Sequence, residues 1–285
     1  MSRIYDALKK LEAERSGAKR ANGHGDGGGN GHGNGHGNGH GNGGGNGRRR
    51  LWRWLFGNGR PASGEGPTVN FQLGPDAEEA YQRLGTNLLV APGVEPGHGL
   101  RLVGVLAARH GEGATTTASV FASIVARRRG GRVAVVEANL RSPSFDRVFG
   151  CRPGPGFADL IRGEQPVTAV VQQTPLTGLV ALPCGDAPAG PSALFDSPGL
   201  SAALEQLRQA FDFVVFDLPP ANVYGDAFII CPRLDATMVV IEADHTRIPE
   251  VERTRRNLER VGARLAGSVL NRRRNYIPTF LEELL

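Results

Sequence analysis

The residues best placed to do chemistry lie in RLVGVLAARHGEGATTTAS, residues 101–119. An apolar strand runs into a glycine-rich turn and then a helix start. That order aims backbone N–H groups and the positive end of a helix dipole at an anion. Against the phosphate-loop pattern G-x-x-x-x-G-K-[ST], Gly113 fills the last glycine, with Gly111 and Glu112 before it, and Thr115 and Thr116 supply hydroxyls. Thr115 takes the position that holds Mg²⁺. Ala114 stands at the lysine position, and a methyl group cannot reach phosphate as a point charge. The chain has three lysines, Lys9, Lys10 and Lys19, so no ammonium follows residue 19. Arg109 and Arg141 are the candidates to lend a guanidinium in its place, from a different geometry.

A second acid belongs with this loop. FDFVVFDLPP, residues 211–220, ends an apolar strand on Asp217. A carboxylate at a strand end beside a phosphate loop either holds Mg²⁺ or caps its own turn. Thr115 and Asp217 are therefore the candidate metal ligands.

These groups need a scaffold. Apolar strands are expected over 101–107, 132–137, 178–182, 213–217, 236–242 and 265–270. Helices are expected over 76–90, 115–128, 200–210 and 249–261, with shorter ones near 157–163 and 225–230. Apolar strands alternating with helices predict a doubly wound α/β fold, its sheet mostly parallel with helices on both faces. This domain is assigned 61–285. Residues 1–20 form an amphipathic helix on Ile4, Leu8 and Leu11, either docked or frayed. Residues 21–47 form a Gly/Asn/His linker with 15 glycines, disordered by composition. Its HGNG register (His32, His36, His40) is a spacer or a weak soft-metal site. RRRLWRWLF within 48–60 suits an anionic membrane surface, a partner's acidic groove, a fold-back onto the body, or nucleic acid.

Charge follows the same division. Residues 1–60 carry 11 Lys+Arg and 4 Asp+Glu, whereas 61–285 carry 22 and 24. The body has no general electrostatic footprint for nucleic acid. The three cysteines, Cys151, Cys184 and Cys231, are far apart, which excludes a disulfide framework and a CxxC metal site and suits a reducing cytoplasm. No apolar run approaches the roughly 20 residues of a spanning helix, and the charged N-terminus lacks a signal-peptide pattern.

The strings EEAYQRLGTNL, GEGATTTAS, VEANLRSP, GFADLIRGE, FDFVVFDLPP and VLNRRRNYIP occur in this order. Together they make residues 72–285 resemble the cytoplasmic bacterial tyrosine autokinases of capsule and exopolysaccharide synthesis. Those kinases sit within the deviant phosphate-loop ATPases that also include septum-site and plasmid-partition ATPases. The resemblance implies ATP, Mg²⁺, protein-tyrosine kinase activity, and an inner-membrane chain-length determinant as partner. It also places Asn271 near adenine, although a strand-end turn asparagine is an equal reading. SRIYDALKK resembles the N-terminal helix of the exosortase-associated branch.

The departures point the other way. The family's GEGK[ST]T has Ala114 for lysine. Its DxDxR strand end appears as Glu137, Asn139 and Arg141, and an asparagine cannot accept the nucleophile's proton. Its E-x-x-R-x-x-R assembly helix appears as Glu79, Gln82 and Gly85, and its C-terminal tyrosine cluster is reduced to Tyr276, the one candidate phosphoacceptor there. The expectation is a pseudokinase, peripheral to the inner membrane, with Mg-ATP bound weakly if at all. An active kinase paralogue is a further candidate partner. A residual ATPase or autokinase is the alternative, and a positioning-ATPase-like adaptor is the second.

Overall fold

The computed structural model describes residues 75–89, 100–129 and 131–273. The expected N-terminal helix, the glycine-rich linker, the 48–60 segment and Tyr276 lie outside the described residues. The strands are β1 (Leu102–Ala107), β2 (Val133–Glu137), β3 (Gln172–Gln173), β4 (Leu179–Leu182), β5 (Phe213–Asp217), β6 (Ala236–Glu242) and β7 (Leu265–Asn271). They form one sheet in the order β3-β4-β2-β5-β1-β6-β7. Every pairing is parallel except that of β3 with β4. The six expected strands all form. β3 was not expected, because two glutamines carry no strand signal.

Burial explains the order. β1, β2 and β5 are buried along their whole length, as strands covered on both faces must be. Their side chains alternate between two apolar layers. Leu102, Leu106, Ala134, Val136, Val214 and Phe216 face one layer. Val103, Val105, Val133, Val135, Phe213 and Val215 face the other. On this second face lies α2 (Ala114–Arg129), with α1 (Pro75–Leu89) outside it and the short α3 (Phe145–Phe149) beside it. The first face is covered by α4 (Phe157–Arg162), α5 (Val167–Val170), α7 (Pro198–Ala210), α8 (Asp226–Ile230) and α9 (Ile248–Arg260). The short α6 (Pro191–Phe195) packs beside α7 and α8. Among the described residues no helix is long and apolar enough to cross a membrane.

The chain passes from β1 to β2 over the place that β5 later fills, and from β5 to β6 over β1. The direction of winding therefore reverses beside β1. In open α/β sheets the ligand crevice forms there, outside the carboxyl ends of the strands. A clamp fixes β1 at its other end. Asp235 accepts the backbone N–H groups of Arg101 (2.9 Å) and Leu102 (2.8 Å) and pairs with Arg208 at 2.6 Å. Burial alone would raise this carboxyl's pKa, but Arg208 and the two N–H groups outweigh it and hold the group below the usual range.

Candidate functional site: a phosphate-loop cleft

The loop leaves β1 at Ala107 and enters α2 at Ala114. Gly111 (φ 84°) and Gly113 (φ 95°) take left-handed backbone that only glycine adopts cheaply. Gly113 has a second constraint: a Cβ there would stand 2.2 Å from Asn271 Nδ2. The Glu112 side chain is 3% exposed and turned to structural use. It accepts the Arg109 N–H at 3.0 Å and the Thr246 hydroxyl at 2.6 Å, tying the loop to the segment after β6. The first turn of α2 carries no acid, so its dipole faces the cleft uncompensated.

Thr115 donates its hydroxyl to Asp217 Oδ2 at 2.8 Å. Asp217 is 1% exposed, and its Oδ1 has no hydrogen-bond partner. Burial pushes this carboxyl up to about 7; the Thr115 hydroxyl opposes the rise and the charge of Glu137 adds to it. Asn139, 8% exposed, lines the cleft and also carries a buried, unpartnered Oδ1. The cleft holds about 310 Å³ and is walled by the loop, Asn139, Arg109, His110 and Arg272.

Three sequence candidates serve elsewhere. Glu137 accepts backbone N–H groups from Ser144, Phe145 (2.8 Å) and Cys184 (3.0 Å), capping α3 and anchoring the turn after β4. Its pKa is raised by burial, and it does not line the cleft. Arg141 pairs with the fully buried Asp226, donates to Ser192 (3.2 Å) and lies 4.5 Å over the Tyr224 ring. Asn271 donates to the Glu112 carbonyl at 2.9 Å and accepts the Arg272 N–H at 2.9 Å, so its amide ties the loop to the turn after β7. Arg109 does reach the cleft, with Glu250 at 3.6 Å.

Arg272 and His110 join the cleft wall although neither is among the candidates above. His110 stands edge-on to Tyr224, with ring centroids 5.5 Å apart. The signal for Arg272 was available: the arginine run begins directly after Asn271. On α1, Glu79 pairs with Arg83 at 2.6 Å, and the helix surface at Gly85 lies against Phe121. The three cysteines are free, and burial pushes the Cys151 and Cys231 thiols up to about 12, so neither supplies a thiolate near neutral pH.

The site fits a magnesium nucleotide at its metal end and lacks one charge at its phosphate end. Thr115 and Asp217, with the orphaned Oδ1, would hold Mg²⁺, whose other positions go to phosphate oxygens and water. Such an ion would neutralise charge between phosphates. This chain's residues would cradle the phosphates on backbone N–H groups. Asn139 offers an amide on the cleft wall, and an amide takes up no proton near neutral pH.

No family model matches the chain. It is 31% identical over 140 residues to the tyrosine-protein kinase ptk of Acinetobacter johnsonii, a match covering 49% of this chain and 19% of that protein. It is 27% identical over 197 residues to the tyrosine-protein kinase CpsD of Streptococcus pneumoniae serotype 4, covering 69% of this chain and 84% of the relative. The kinase domain of VpsO superimposes with a TM-score of 0.61 at 28% identity, over 68% of this chain and 94% of that domain. The chain is thus a homologue of bacterial tyrosine-protein kinases and has their phosphate-loop ATPase-like fold.

Proposed function

We propose that this chain is a catalytically degenerate counterpart of the exopolysaccharide tyrosine kinases, a pseudokinase that acts through its surfaces. The reading is carried by the cleft: the loop and Thr115 line it and Thr115 is bonded to the buried Asp217 behind it, yet Ala114 presents a methyl where the phosphate lysine belongs. Asn139 adds to it, because an amide on the cleft wall takes no proton from a tyrosine hydroxyl. The partner is a polysaccharide chain-length determinant or another inner-membrane export protein, met from the cytoplasmic side. An active kinase paralogue is a second candidate partner. Residues 48–56 add membrane contact, and the 21–47 spacer lets the two contacts act together by effective concentration.

A second reading, residual ATP binding with ATPase or autokinase activity, is favoured by the intact Thr115–Asp217 pair. Purified protein with Mg-ATP decides between them. No phosphotyrosine is expected in the wild type or in Ala114→Lys, because the Asn139 amide takes no proton in either. Phosphate on Tyr276 that vanishes in Asp217→Ala would overturn the pseudokinase reading.

A further inference from the structure

The cleft without a lysine is still walled by guanidinium groups. Arg109 leaves the loop itself, and Arg272 leaves the turn that follows β7. Arg141, the other sequence candidate, is committed to Asp226, Ser192 and Tyr224.

Arg272 is held in an unusual way. It is one of two non-glycine residues with positive φ among the described residues, at 56°. An arginine has no local reason to sit there, and such conformations persist where the surroundings impose them, often at ligand clamps. The surroundings are visible: Asn271 Oδ1 accepts the Arg272 N–H while Asn271 Nδ2 holds the Glu112 carbonyl. One amide fixes the arginine's backbone and the phosphate loop to each other.

The side chain is also available. Arg272 pairs with Glu242 at 2.8 Å and Arg109 with Glu250 at 3.6 Å, and both guanidinium groups are more than half exposed. Exposed pairs of this kind contribute little and exchange partners readily. The remaining acids near the loop, Glu112 and Asp217, are buried and point their oxygens into other hydrogen bonds, apart from the orphaned Asp217 Oδ1. Asn139, 92% buried on the cleft wall, adds an independent polar side chain whose Oδ1 has no hydrogen-bond partner.

We infer that Arg272 from outside the loop, seconded by Arg109 from within it, replaces the missing lysine, so that the cleft takes the polyphosphate of a nucleotide by exchanging Glu242 and Glu250 for phosphate oxygens. The inference deepens the reading above and rests on it for the ligand class. Guanidinium groups match phosphate with paired N–H donors but do not follow a phosphoryl group as the loop lysine does. Binding would thus survive where transfer has been lost.

Titration calorimetry on the full chain tests this with Mg-ATP, inorganic tripolyphosphate and adenosine. Arg272→Asn removes the cation yet tolerates left-handed backbone. It should weaken Mg-ATP and tripolyphosphate by about 10-fold or more, and Arg109→Ala should weaken both to a lesser degree. Glu242→Gln should tighten both several-fold by freeing Arg272. Arg255→Ala, an exposed change on α9 with the same loss of charge, should leave binding unchanged. Wild-type affinity in both Arg272→Asn and Arg109→Ala, or no binding of either polyphosphate by the wild type, overturns the inference. If Arg272→Asn fails to fold, Glu242→Gln decides, and unchanged affinity there overturns it. Phosphotyrosine formation would overturn the pseudokinase reading and leave this inference standing, so the two failures are distinguishable.

Discussion

Asp217 sits where its charge is least welcome: 1% exposed, one oxygen on Thr115, the other on nothing. With its carboxyl raised to about 7, the folded chain keeps this proton between about pH 4 and 7 while the unfolded chain has released it. The folded state binds more protons in that window, so stability falls as pH rises through it and levels off above. At about 1.4 kcal/mol per pKa unit the ceiling on this change is about 4 kcal/mol. Urea unfolding at pH 5 and pH 8 should show the decline in wild type and its absence in Asp217→Asn. An equal slope in both would mean that the carboxyl is solvated. At this scale the sequence was legible in part. Gly111, Gly113, Thr115 and Asp217 announce themselves by motif and strand end. The occupations of Glu137, Arg141 and Asn271 do not, because each depends on a partner 47 to 159 residues away or on a turn formed by tertiary contact.

Two glycines separate the loop's needs from the sheet's. An alanine Cβ at Gly104 in β1 would fall 2.7 Å from Leu218 Cδ1 and 2.8 Å from Leu234 Cδ1. Overpacking of this kind costs about 1–3 kcal/mol. Gly113→Ala meets positive φ and the Asn271 amide, and should cost about 1–3 kcal/mol while also breaking the clasp on Glu112. Denaturation midpoints should fall in both variants. Polyphosphate affinity should fall sharply only in Gly113→Ala, and equal losses of affinity would contradict the division. The long elements were legible because burial on both faces writes continuous apolar runs for β1, β2 and β5, and because α2, α7 and α9 exceed three turns. α3, α5 and α6 have five residues or fewer and stand by contact rather than pattern. The Glu137 carboxylate on the first N–H groups of α3 is one such contact.

For the whole molecule, the proposal divides labour between a folded body and a basic arm. Deleting residues 48–56 should move the protein from the membrane to the soluble fraction of its own cells at both low and high salt, since aromatic insertion is less salt-sensitive than surface charge. Release by salt alone would reduce the arm to electrostatics. A wholly soluble intact protein would send the arm to another partner.

The Asn271 amide has a consequence for how the molecule opens. It joins the most exacting loop to the strand at the sheet's margin, where side chains are half-exposed rather than buried. Marginal strands open more often than central ones, and they do so without global unfolding. When β7 frays, the loop loses its clasp and the cleft loses Arg272 in one event. Polyphosphate binding of the inferred kind would therefore follow the opening of this edge strand rather than that of the core. A bound polyphosphate should slow amide hydrogen exchange along β7 and leave β1, β2 and β5 unchanged. A lesion at the sheet's edge would silence the cleft while the protein still melts as a folded body.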